Sequence, residues 1–120
     1  MEASNLDSNY DFYVLFPGKY NNRVKDIEKD IIDIFVIKKT NLSLVYTASL
    51  YTIKILNEMF NNGYIYISEK GMVVIRDLER KTIYQCIDEM INEENFQNVF
   101  YEIGSYNTVF GVDNFRYDLL

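Results

Sequence analysis

Two apolar, β-rich runs, Tyr64-Ile65-Tyr66-Ile67 and Met72-Val73-Val74-Ile75, are separated by four turn-prone residues, Ser68 to Gly71. No other feature of the chain constrains its fold as tightly. Alternating aromatic and β-branched residues suit a pleated, half-buried surface. A short connection between two such runs predicts an antiparallel hairpin. The rest of the fold must then supply a sheet for this hairpin to join, and helices to cover it.

The flanking sequence offers both. Tyr10 to Phe16 is aromatic and β-branched, which predicts a strand ended by Pro17-Gly18. Val24, Ile27, Ile31 and Ile34 recur at three- and four-residue steps between charged residues, as in an amphipathic helix. A strand from Ile31 to Ile37 is the rival reading, and Lys38 to Asn41 is a polar loop. Thr47 to Asn62 carries a broad stripe (Leu50, Ile53, Ile55, Leu56, Met59, Phe60) before Gly63, the pattern of a helix with a glycine stop. Leu42, Leu44 and Tyr46 alternate just before it, which admits a short strand. Asp77 or Glu79 opens a last helix whose buried face is Ile83, Ile87, Met90 and Ile91. Gln97 to Ile103 returns to strand, and Thr108 to Val112 is read as an edge strand.

Together these predict a single α+β domain over residues 1–120, with residues 1–9 flexible. Its mainly antiparallel sheet carries about three helices packed on one face. A chain of 120 residues, 48% hydrophobic, buries roughly two-thirds of its unfolded surface and needs no disulfide or metal to hold it. Its start, Met1-Glu2-Ala3-Ser4-Asn5, lacks the basic and apolar regions of a signal peptide. No apolar run has the length of a membrane span. The expectation is a cytoplasmic protein.

The inventory of reactive groups is short. The chain has no histidine and a single cysteine, Cys86. Imidazole-based triads and closed zinc sites are therefore excluded. Cys86 sits three residues after Ile83 and four before Met90, beside the core stripe, and reads as a small hydrophobe rather than a nucleophile. The carboxylate pairs Asp26/Asp30 and Glu89/Glu93 fall one helical turn apart and could share a proton or hold magnesium. The plainer reading of each is a wet helix flank. Phe16-Pro17-Gly18-Lys19 lacks the glycine spacing of a phosphate loop. The expectation is a protein without catalytic residues, cofactor or metal.

Charge is unevenly spread. Residues 1–60 hold seven Lys and Arg against eight Asp and Glu, a balance of −1; residues 61–120 hold five against ten, a balance of −5. Beyond Ile87 the only base is Arg116, against Asp88, Glu89, Glu93, Glu94, Glu102, Asp113 and Asp118. Such a field repels phosphate backbones and anionic lipid, and steers a basic protein inward. The tail also interleaves aromatics with these acids: Tyr106, Phe110, Phe115 and Tyr117 lie among Glu102, Asp113 and Asp118. Tyrosine and phenylalanine anchor protein interfaces well, whereas single-strand nucleic-acid binders interleave aromatics with Lys and Arg. The alternative for the tail is a buried edge strand.

These observations point to a non-catalytic acidic module that binds one basic protein partner at equal stoichiometry, with neither nucleic acid nor membrane as its target. An immunity protein that blocks the cleft of a bacterial nuclease toxin fits this character. The partner-binding candidates are Asp88, Glu89, Glu93, Glu94, Asp113 and Asp118 for charge, and Tyr106, Phe110, Phe115 and Tyr117 as anchors. Two other classes stand beside it: a phage- or virus-encoded accessory protein that binds a host factor, and a small-ligand domain with a tyrosine-lined pocket.

Overall fold

Ile31 to Ile37 is dense in β-branched residues, and this density decides the middle of the molecule. Such side chains lose rotamer freedom in a helix and pack well on a pleated surface. In the computed structural model, which describes residues 6–111, Ile31–Lys38 is accordingly a strand. The amphipathic helix expected from Val24 onward is absent, because Ile31 and Ile34 belong to this strand. It is β2, between β1 (Phe12–Leu15) and β3 (Leu44–Thr52), and antiparallel to both.

The far edge of β3 is shared by two strands. β5 (Tyr101–Ser105) runs antiparallel along Leu44 to Thr47, and β4 (Met72–Ile75) runs parallel along Ser49 to Thr52. The architecture is α+β with a mainly antiparallel five-stranded sheet. The helices are α1 (Tyr20–Arg23), α2 (Ile53–Asn61), α3 (Arg80–Asn92), α4 (Phe96–Val99) and α5 (Tyr106–Phe110).

Strand alternation divides the buried side chains between two cores. Ile32, Ile34, Val36, Ala48 and Leu50 point to one face, where Ile83, Tyr84 and Ile87 of α3 cover them. Each fully buried aliphatic side chain here contributes roughly 1.5–3 kcal/mol of transfer free energy. Leu15, Ile37 and Val45 point to the other face and meet Tyr106 of α5. The principal helix therefore lies on one face, as expected, while short α5 covers part of the opposite one.

Three further expectations fail for identifiable reasons. The hairpin does not form. Tyr64 to Ile67 is irregular, and β4 pairs with β3 instead. Gly71 enters β4 at φ +72, and a Cβ there would lie 2.7 Å from the Tyr101 ring, so only glycine fits. The long helix from Thr47 begins late, because Thr47 to Thr52 is strand. Thr52 then caps α2, its hydroxyl accepting from the Ile55 N–H. The edge strand expected over Thr108 to Val112 is α5 as far as Phe110, framed by the Ser105 cap and by Gly111 in the left-handed region; Val112 lies outside the described residues.

Residues 1–9 were expected to be flexible; the structure describes residues 6–9 of these, among which Asp7 is 2% exposed. The buried Tyr84 hydroxyl donates to its carboxylate, and the Lys39 ammonium donates to its backbone carbonyl at 2.7 Å. Burial first, and then Asp7, hold the Tyr84 phenol far above its ordinary pKa.

Candidate functional site

The periodicity of α3 places Gln85, Glu89 and Glu93 along one side of the helix, beside the edge of the sheet. β4 is the last strand on that path, and its outer edge is open among the described residues. Between them runs a groove of about 340 Å³, with Val74 and Arg76 on the strand side and Gln85, Cys86, Glu89 and Glu93 on the helix side. Glu89 and Glu93 are exposed and form no ion pair among the described residues. Arg76, the groove's base, is turned to Asp77 with Nε at 3.3 Å from the carboxylate. The Cys86 thiol is half-buried and lies 3.9 Å from the Met90 sulfur. Burial, and then the charge of Glu89, push its pKa up, which leaves it a poor nucleophile.

The other candidates scatter. Asp88 is half-buried on a different flank of α3 and does not line the groove. Glu94 lies past the helix end at φ 59, on a separate depression with Lys38 and Phe96. Tyr106 was expected to anchor a partner, but it is 2% exposed. Phe110 packs on Phe35 and Tyr106, with ring centroids at 5.9 Å and 4.7 Å. Both are occupied in the second core. Asp113, Phe115, Tyr117 and Asp118 lie outside the described residues. The Asp26/Asp30 pair belongs to a loop rather than a helix, where each carboxylate accepts from a nearby backbone N–H.

A second surface was not foreseen. The nine residues of α2 form a strongly amphipathic helix, yet none of them is buried. Ile53 is 59% exposed, and after the helix Ile65 is 93% and Tyr66 76% exposed. Beside them lies an open hollow of about 560 Å³ lined by Tyr51, Met59, Tyr64, Tyr66 and Glu69.

No protein-family model matches the chain, and neither does any curated protein or solved structure.

The floor of the hollow is polar. The Tyr51 hydroxyl donates to Glu69, and the Ser49 hydroxyl lies 2.6 Å from Asp33 Oδ1 and 3.1 Å from Glu69 Oε1. Burial, and then the hydrogen bond and charge of Glu69, raise the Tyr51 pKa from 10.0 to about 12. A phenol with a raised folded-state pKa stabilises the fold fully below the unfolded value and progressively less above it. The stability that Tyr51 contributes is therefore complete below pH 10.0 and lost as the pH climbs to about 12. Urea midpoints of wild type and Tyr51→Phe should differ most near neutrality and converge in that alkaline window. A gap that stays constant through it would contradict the assignment.

Among the described residues, no three of the acids and the cysteine gather as metal ligands would. No helix among those residues is long and apolar enough to cross a membrane.

Proposed function

We propose that this chain is a non-catalytic binding module that works by forming a one-to-one complex with a basic protein. In this reading it is an immunity protein, held in the cytoplasm, that neutralises a cognate toxin such as a nuclease. The observation that carries it is the pair of glutamates, Glu89 and Glu93, that form no ion pair among the described residues and lie along a groove beside a strand edge that no described strand covers.

The physical argument has two parts. A nuclease must present a positive cleft to its phosphate substrate, so carboxylates aimed at that cleft gain steering and charge pairing together. An open edge also offers backbone N–H and C=O groups to an extended segment, which can add as a further strand. A basic segment laid along β4 would bring its side chains to Glu89 and Glu93. The chain's net charge of −6 supplies the long-range field.

A second reading, a small-ligand domain, has the tyrosine-lined hollow in its favour, since the volume falls within the usual range for ligand sites. Its width at the mouth and the prior engagement of Tyr51 with Glu69 weigh against it.

The test is functional titration. A basic protein captured with this chain from its native strain is assayed for nuclease activity while the chain is added back. Loss of activity that is complete at one equivalent supports neutralisation. Activity that persists at excess chain contradicts it.

A further inference from the structure

Successive residues of a strand turn their backbone N–H and C=O groups alternately to its two sides. The Ser49 N–H donates to the Gly71 carbonyl at 2.8 Å, while Met72 stands level with Ser49 and Val74 level with Tyr51. In a parallel pair this register commits the backbone groups of Gly71, Val73 and Ile75 to β3. Those of Met72 and Val74 are thereby turned to the outer edge, which no described strand covers. The side chains alternate across the sheet. Val73 and Ile75 pack into the core beneath α3, whereas Val74 lies on the opposite face and is 52% exposed.

We infer that this edge takes an extended segment of the basic partner in which lysine or arginine alternates with apolar residues. The inference rests on the proposal that a basic protein binds the groove, and it states what that protein must offer there. Met72 and Val74 supply two donors and two acceptors to an added strand. Residues of that strand level with Val73 and Ile75 project to the α3 side. There Glu89 and Glu93 line the groove, exposed and without an ion pair among the described residues. Four residues of helix advance about 6 Å. Two residues of strand advance about 6.7 Å. Cations two residues apart on the segment therefore match carboxylates four residues apart on α3. The intervening residues fall on the other face beside Val74, where Glu69 already accepts from the Tyr51 hydroxyl, so apolar side chains suit those positions.

Charge selects the occupant. A cationic segment is drawn in by the net charge of −6 and paired by the two glutamates. Antiparallel pairing with β4 of a second copy would instead bring the acidic flanks of two α3 helices together on one face of a continuous sheet. An acidic segment meets the same repulsion.

The experiment is fluorescence anisotropy of the full chain with a short labelled peptide that alternates lysine with valine, compared with a peptide of the same composition whose lysines are grouped at its two ends. Wild type should bind the alternating peptide at least about tenfold more tightly, because only that order satisfies the edge and both glutamates together. Val74→Pro removes an outward N–H that β3 does not use, so the ladder and the far-ultraviolet circular dichroism spectrum should survive. That variant should bind the alternating peptide about tenfold more weakly than wild type. Equal binding of the two peptides by wild type, or no binding of either, would overturn the inference. So would a folded Val74→Pro variant that holds the alternating peptide as wild type does. Where Val74→Pro fails to fold, the two peptides with wild type decide alone. No toxin enters this assay, so a chain that passes it yet neutralises no nuclease keeps the edge site and loses only the toxin reading.

Discussion

Tyr106→Ala should destabilise the protein by about 3 kcal/mol, the range seen when a buried aromatic side chain is removed and a cavity remains. Tyr106 is 2% exposed, packs with Leu15, Ile37 and Val45, and meets the Phe110 ring in a tilted contact with centroids 4.7 Å apart. Its backbone N–H is also fixed, donating to the Ser43 carbonyl at 2.6 Å. The comparison residue is Ile65, equally apolar but 93% exposed. Ile65→Ala should change stability by no more than about 0.5 kcal/mol, as surface substitutions do. Urea denaturation of wild type and the two variants at one low protein concentration separates the two roles. Equal losses would show that the assignment of core and surface is wrong.

The second large effect concerns association. Reversing Glu89 and Glu93 to lysine changes the charge lining the groove by four units while leaving the buried face of α3, Ile83, Ile87 and Met90, intact. Electrostatic steering accounts for factors of about 10 to 1,000 in association rates. The double reversal should therefore slow binding of a basic partner by at least about tenfold, with less effect as salt is raised and the wild-type rate falls. Stopped-flow association at two ionic strengths reads both. A Glu94→Lys control should change the rate far less, since Glu94 lies on a different depression with Lys38. Rates that respond equally to Glu94 and to the groove pair would remove the groove from the mechanism.

Some of this was legible in the residues and some was not. β1 and α3 follow from local pattern: Phe12 to Leu15 ends at a Pro-Gly turn, and the three- and four-residue spacing of Ile83, Ile87 and Met90 sets the helix face. The same periodicity puts Glu89 and Glu93 on one flank. The groove was not legible, because its other wall depends on β4 pairing in parallel with β3, a partner about twenty residues away. Two adjacent β-rich runs gave the hairpin its local appeal, yet β4 gained a whole sheet by turning to β3 instead. The start of α2 was readable in hindsight, since Thr52 is a good cap immediately before the stripe, and Ser105 with Gly111 marks α5 in the same way. The exposure of Ile53 and Phe60 at the two ends of α2 was not readable. Nor were its surface ion pairs, because Glu28 and Lys29 sit in a distant loop and nothing in the helix itself announces them.

The most direct test of the acidic-groove account is a paired capture from the native strain. Wild-type chain and the Glu89→Lys/Glu93→Lys variant serve as baits at the same salt, and retained proteins are quantified by mass spectrometry. The account predicts one basic protein, held at one equivalent by wild type and lost from the reversed bait. The same protein held equally by both baits would contradict it.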